Sequence, residues 1–369
     1  MKIIILCGCL EPGRDGVGDY SRLLGRELTT MGHEIFLFAI NDKYATPSDQ
    51  NSAAYSVGTN HVLRLSSSKT WKERMHVISN HINIIGPDWI SLQYVPFAFH
   101  DKGLPILLSR NLKKVCAGVK WHMMFHELWV GNEQFKFKVL GRIQRFMIQK
   151  MLHQINPEVV HTHLPIYFKD LSSLDIKVKE LPLFSNFPED EIAAIGGTDL
   201  FRIVFFNQVS DDYRVLDFVT ALSKKAVENN LKFEVVLIGI LKGELERFAE
   251  KLKTLPCLDD KVKWLGFVEG ASVAGILKSC SLGISPLRLS TLGKSGTTAA
   301  FLTQGLPIAI PIQDKVDEPF FYPELMDALV FQPDFDKIQK ASDAAKDLKK
   351  LLSVKSIAEK FIKDLTYFN

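Results

Sequence analysis

The sequence is poor in cysteine, and the five it has, Cys7, Cys9, Cys116, Cys257 and Cys280, form an odd and scattered set. Cys7 and Cys9 lack a second cysteine pair to complete a zinc site, and no disulfide framework is suggested. All five read as small packing residues in a reducing cytoplasm. Charge imbalance is also missing: 45 Lys and Arg against 42 Asp and Glu leave +3, too little to imply a nucleic-acid partner. No apolar run approaches the roughly 20 residues that span a bilayer. The opening MKIIILCGCLEPG has one Lys and no cleavage site, so it reads as a buried first strand rather than a signal peptide.

Several chemical signatures are absent as well. The Gly-Lys-Ser at 293–295 resembles a nucleotide-triphosphate loop, but Arg288 stands where that loop needs its first glycine. The Gly13–Tyr20 turn does not have the spacing of a dinucleotide fingerprint, so Asp42 alone supports a nicotinamide oxidoreductase weakly. HExxH spacing is missing around His122 and His126. The chain shows no solenoid repeat and no low-complexity tract.

What is present suits two ordinary domains: 369 residues, 46% hydrophobic and 24% charged. The first half alternates strand-like runs (Lys2–Cys7, Glu34–Ile40, Trp89–Gln93, Val119–Phe125, Val159–Thr162) with helical ones such as Tyr20–Met31. A linker composition appears at Ser185–Asp199, SNFPEDEIAAIGGTD. The rhythm restarts with strands at Arg202–Phe206, Phe233–Ile238, Val262–Leu265 and Leu282–Ser285, and helices at Val215–Glu228, Glu244–Leu255 and Ala271–Ser279. Ser353–Tyr367 reads as a closing amphipathic helix. The reading is α/β, with two doubly wound Rossmann-like parallel-sheet domains at 1–190 and 191–350. The closing helix at 351–369 is expected to pack back on the first domain.

Two loops carry the candidate chemistry. In LGKSGTTAAFLTQGLPIAI, 292–310, a strand end leads through Gly293, Lys294 and Ser295 into a helix at Gly296–Gln304. Small residues there admit a ligand to exposed amides at a positive helix end, which suits a diphosphate, and Thr297 and Thr298 add hydroxyls. The alternative is close packing alone. The second loop, Gly13 to Tyr20, frees the backbone at Gly16 and Gly18 after the first strand. Phe135–Lys150, FKFKVLGRIQRFMIQK, is a basic amphipathic helix without an acidic residue, suited to an anionic membrane or to packing on its own sheet. His122 reads as packed, His161 and His163 as solvated loop residues, and the Asp211-Asp212 and Asp259-Asp260 pairs as turn residues.

A family resemblance runs through the chain in order. Gly16-Val17-Gly18-Asp19-Tyr20-Ser21 resembles the "GGVGDYT" start of retaining glycosyltransferases of family 4, which have the GT-B fold. Pro87–Tyr94 is similar to their "PDVVHLQY" strand, Phe125–Trp129 to "THDLW", and Pro182–Asn186 to the strand entering their linker. Leu265-Gly266-Phe267 is similar to "FLGFV", and Gln304–Ile308 to "CGLPVV".

The resemblance implies two domains facing across a cleft and a metal-independent, retaining transferase without a cofactor. It would take a UDP- or GDP-sugar and a glycan or lipid-linked acceptor, in cell-surface or exopolysaccharide assembly. It implies that His126 sits against the donor sugar, that Gly16 and Gly18 touch the diphosphate and acceptor, and that Asp19 orients an acceptor hydroxyl. Gln208 and Tyr213 stand where the family clamps the diphosphate with Arg and Lys, so Arg214, Arg288 and Lys294 are the cations expected to replace them. The family's paired donor-site Glu residues correspond to Leu292 and Ala300. That departure leaves a non-catalytic sugar-nucleotide binder as the alternative.

Overall fold

The protein is described by a computed structural model covering residues 1–46, 55–57, 60–131, 134–186, 200–239, 243–268, 270–315 and 320–367. The linker expected at Ser185–Asp199 therefore lies largely outside the described residues. Two compact units result: Met1–Leu181 with Ile357–Asn369, and Pro182–Ser356.

The first unit runs β1 (Lys2–Cys7), α1 (Gly16–Thr30), β2 (Glu34–Asp42), β3 (Tyr55–Val57), β4 (Asn60–Ser66), α2 (Trp71–Ile85), β5 (Trp89–Tyr94), α3 (Pro96–Phe99), α4 (Leu108–Val115), β6 (Lys120–Phe125), α5 (Phe135–Ile155), β7 (Val159–Thr162), α6 (Pro165–Ser172) and β8 (Val178–Glu180). Its sheet order is β3-β4-β2-β1-β5-β6-β7-β8, parallel except for the antiparallel edge strand β3. Strand β1 is apolar after Lys2, and β5 is buried over its whole length, because both faces of a parallel sheet are covered. Local signals start the helices: Asp15 caps α1, and Thr70 with Glu73 forms a reciprocal capping box on α2. The β4 strand escaped the hydrophobic reading because His61 and Arg64 interrupt its short apolar run.

The second unit runs β9 (Leu200–Phe206), α7 (Tyr213–Glu228), β10 (Lys232–Ile238), α8 (Glu244–Lys253), β11 (Val262–Trp264), α9 (Gly270–Lys278), β12 (Leu282–Ile284), a 3₁₀ turn (Leu289–Lys294), α10 (Gly296–Thr303), β13 (Ile308–Ala309), β14 (Leu329–Val330) and α11 (Phe335–Leu348). The six strands are all parallel, in the order β11-β10-β9-β12-β13-β14. Alternation divides the core in two: Ile203, Phe205 and Val235 face α7 and α8, whereas Val204, Phe206 and Val236 face α9 and α10. The resemblance placed a strand at Pro182–Asn186; none forms there, and Pro182 has no N–H to offer a ladder.

The last helix, α12 (Val354–Thr366), buries Ile357, Ala358, Phe361 and Leu365. From Ile357 onward it belongs to the first unit, where Phe361 meets His122 edge-on at 4.9 Å and Asp364 reaches β7 and β8. Each sheet reverses its winding once, between β1 and β5 and between β9 and β12. Open parallel sheets bind ligands outside the carboxyl ends of the strands at such points.

Candidate functional site

The second unit's reversal point gathers most of the residues singled out in the sequence. Thr297 Oγ1 donates to the Phe206 carbonyl at 3.2 Å, so the start of α10 sits at the carboxyl end of β9, beside Asn207 and Gln208. Ser295 is the N-cap of α10 and its hydroxyl accepts from the Thr298 amide. The Ser295 amide is itself spent on the Leu292 carbonyl at 2.9 Å, and Gly293 lies inside the 3₁₀ turn. The amides open to a ligand are therefore those of Gly296 and Thr297, the first two of α10, which have no intrahelical acceptor. A Cβ added at Gly296 would meet nothing within 4 Å, so this helix end is open.

Polar atoms left over at this point are more telling. Thr298 is 2% exposed, and among the described residues neither its hydroxyl nor the shielded Gln208 Oε1 has a partner. Buried polar groups are seldom left so, because each unmade bond costs about 1–3 kcal/mol. Lys294 and Arg288 are exposed and carry no ion pair among the described residues. Arg214 is different: its guanidinium grips Asp212 through Nε at 2.9 Å and Nη2 at 2.6 Å, capping α7. That pair holds the Asp212 carboxyl down to about 2 and leaves Arg214 with its charge already met. Leu292 and Ala300, the family's Glu positions, are both fully buried in the apolar core, so no carboxylate approaches from either.

In the first unit, His126 follows β6 and continues its ladder, its amide donating to the Tyr94 carbonyl at 3.1 Å. Its ring is 6% exposed, stands edge-on to Tyr20 at 5.0 Å and hydrogen-bonds through Nε2 to Gln93 Oε1 at 2.9 Å. Burial pushes the imidazole down to about 3, so it is neutral at physiological pH. Tyr20 belongs to α1, so that helix is packed against the His126 ring.

Within the Gly13–Tyr20 turn the roles are partly structural. The Gly18 amide is capped by Asp15 at 2.7 Å, and a Cβ at Gly18 would stand 2.4 Å from the Cys9 carbonyl. Gly18 is thus required by the packing of α1 on the loop after β1. Asp19 accepts the Gly13 amide at 3.1 and 3.2 Å and closes the turn, and burial raises its carboxyl. Gly16 is exposed at the start of α1.

The expectation that His161 and His163 are solvated loop residues is overturned: they are 0% and 4% exposed. His161 lies in β7 itself, where alternation turns it to the face that α12 covers, and His163 packs against the rings of His126 and Tyr167. Sequence reasoning also passed over Ser91 and Gln93. The signal was there: WISLQY places two polar residues two apart in an otherwise apolar strand, which puts both on one buried face. Among the described residues no group of three or more His, Cys, Asp or Glu side chains is placed to hold a metal ion.

No family model matches the chain, and no curated protein matches it. Solved structures do. A glycosyltransferase from Rickettsia africae ESF-5 has a TM-score of 0.60 at 13% identity, over 98% of this chain and 97% of that one. A trehalose-6-phosphate structure from E. coli bound with UDP-2-fluoro glucose has a TM-score of 0.62 at 12% identity, over 99% of both chains. UDP-GlcNAc 2-epimerase from Methanocaldococcus jannaschii has a TM-score of 0.56 at 12% identity, over 100% of both. The fold these structures share with the chain is GT-B, two Rossmann-like domains in one polypeptide.

Proposed function

We propose that the chain is a glycosyltransferase that moves a sugar from a UDP- or GDP-sugar to a hydroxyl of a saccharide or lipid-linked saccharide, in cell-surface or exopolysaccharide assembly. The observation that carries this reading is the unsatisfied polar set at the second unit's reversal point. Two open amides and a buried hydroxyl without a partner among the described residues stand at the N-terminus of α10, with Lys294 just before it. The loops beside it carry the Gln208 amide oxygen, likewise unpaired among the described residues, and Arg288, which is in no ion pair there. A nucleoside diphosphate satisfies all of them. The amides of Gly296 and Thr297 and the cations Lys294 and Arg288 stabilise the negative charge that grows on the diphosphate as the glycosidic bond breaks. Thr298 donates a further bond, and Gln208 accepts one from a donor hydroxyl.

The first unit supplies the acceptor side. His126, neutral, makes hydrogen bonds to the reacting sugar, and Gly16 and Asp19 border the acceptor. The proposal includes a retaining, metal-independent reaction in the cytoplasm. No described helix is long and apolar enough to cross a membrane. On α5, however, Phe135, Val139, Ile143 and Phe146 are exposed by 81%, 40%, 43% and 64%, amid exposed Lys136, Lys138, Arg142 and Lys150. This face supports peripheral contact with an anionic membrane carrying a lipid-linked acceptor.

The buried apolar residues at both Glu positions favour a second reading, a sugar-nucleotide binder without turnover. Two measurements separate them. Thermal shifts with UDP-, GDP-, ADP- and TDP-sugars should show stabilisation by one donor class, since a ligand stabilises the state that binds it. With that donor and a glycan acceptor, release of free nucleoside diphosphate marks the transferase. Stabilisation without release leaves only the binder, and no stabilisation by any donor removes both.

A further inference from the structure

A hydrogen-bonded row crosses the sheet of the first unit from His126 to the C-terminal helix. His126 Nε2 meets Gln93 Oε1 at 2.9 Å, Gln93 Nε2 meets Ser91 Oγ at 2.7 Å, and Ser91 Oγ meets His122 Nδ1 at 2.7 Å. His122 Nε2 then meets His161 Nδ1 at 2.9 Å, and His161 Nε2 meets Asp364 Oδ2 at 2.9 Å. Lys179 Nζ holds the other oxygen, Asp364 Oδ1, at 2.5 Å. The placement follows from register. Ser91 pairs with His122, and His161 pairs with Lys179, so residues on β5, β6, β7 and β8 share one face, which α12 closes. All but the Asp364–Lys179 end are buried to 1% exposure or less, apart from His126 at 6%.

The row has only one consistent polarity. An ionised Asp364 can only accept, so His161 carries its proton on Nε2 and offers a lone pair at Nδ1. His122 must then donate from Nε2 and accept at Nδ1, which takes the Ser91 hydroxyl proton. Ser91 Oγ in turn accepts from the Gln93 amide, and the Gln93 oxygen accepts from His126 Nε2. Both histidines in the middle are kept neutral by burial, while the bonds from His161 and Lys179 outweigh burial at Asp364 and hold its carboxyl down to about 2.

We infer that Asp364, on the C-terminal helix, fixes the tautomer of His126 through Gln93, Ser91, His122 and His161. The five are positioning residues. They keep the His126 proton on Nε2 and leave Nδ1, which has no partner among the described residues, as a pure acceptor. The inference rests on the proposed role of His126 and sharpens it: the group recognised at Nδ1 is a hydroxyl donor, such as a sugar hydroxyl, and not a phosphate oxygen. No proton is transferred in this device; it sets an orientation.

The test is histidine-labelled ¹H–¹⁵N spectroscopy of the full chain without ligand, which reports which ring nitrogen is protonated. Wild type should show His126, His122 and His161 all protonated at Nε2; protonation of any of them at Nδ1 overturns the inference. In Asp364→Asn, Lys179 retains the carbonyl oxygen and the new NH₂ faces His161 Nε2. His161 and His122 then carry their protons on Nδ1. The Ser91 hydroxyl, now accepting from His122, donates to Gln93, whose amide flips and moves the His126 proton to Nδ1 as well, at near-identical shape. An unchanged His126 in that variant overturns the inference. Ser91→Ala, which severs the row at its middle, should leave His122 and His161 as in wild type while His126 loses its single form; a His126 still fixed at Nε2 sinks it. These readouts need no donor and no turnover, so they fail or succeed apart from the proposed activity.

Discussion

Single side chains at the start of α10 divide into those that hold the fold and those left for a ligand. Lys294 and Arg288 belong to the second group, Arg214 to the first. Lys294→Ala or Arg288→Ala should weaken nucleotide-sugar binding by about 1.5 kcal/mol, roughly tenfold in Kd, since each removes a charge-assisted bond to phosphate. Arg214→Ala should leave that affinity within about twofold and lower stability only slightly, since water screens a partly exposed ion pair. Isothermal titration of the three variants decides the point; an Arg214→Ala protein that loses donor affinity as strongly as Lys294→Ala would return Arg214 to the site. Residue identity made the cations and the hydroxyls legible in the sequence. Which of them were already occupied was not legible, because Asp212 and the Phe206 carbonyl reach their partners only in the folded chain.

At the scale of the element, α1 and α5 show opposite constraints. The N-terminus of α1 is pressed onto the loop after β1, so Gly18→Ala should cost about 1–3 kcal/mol through the clash with the Cys9 carbonyl. A urea melt checks this, and an unchanged midpoint would show that the loop yields. The flexibility of glycine pointed in the sequence to a ligand touching the backbone at Gly18; the structure shows that the near neighbour is the protein's own carbonyl. On α5 the reverse holds, because four large apolar side chains remain exposed although their helix packs on the sheet through Gln144, Ile148, Met151 and Leu152. Replacing Phe135, Ile143 and Phe146 together by Ser should abolish salt-sensitive flotation with anionic vesicles while leaving the melting temperature nearly unchanged. If wild type does not float with such vesicles, the membrane contact is gone from the proposal.

For the whole molecule, the buried imidazoles make stability depend on pH. His126, His122 and His161 all titrate below the ordinary value of 6.5 when folded, because burial disfavours their charged forms. The unfolded chain therefore takes up these protons first. Their contribution is fully present above about pH 6.5 and is lost as pH falls below it, for His126 until about pH 3, by ~1.4 kcal/mol per pH unit for each proton that the unfolded chain alone has bound. Asp364, whose carboxyl is depressed, adds a loss at lower pH, between about 4 and 2. Urea midpoints should fall steadily from about pH 6.5 to pH 5, and a flat profile over that range would contradict the burial of the three rings.

The alternation of apolar strands and helices, repeated on either side of a polar, glycine-containing stretch, determined two doubly wound sheets from sequence alone, because parallel strands covered on both faces must be apolar throughout. Ordered motifs added the GT-B resemblance and pointed to His126 and the 293–298 loop. Only the tertiary structure decided that His161 is buried, that Arg214 is occupied, and that Asp364 stands at the end of a row reaching His126. The burial of His161 and the row depend on side chains as far as 203 residues apart in sequence meeting through strand register and a returning helix, which no local pattern encodes. Arg214, by contrast, is occupied by a neighbour two residues away whose geometry only the folded helix start fixes.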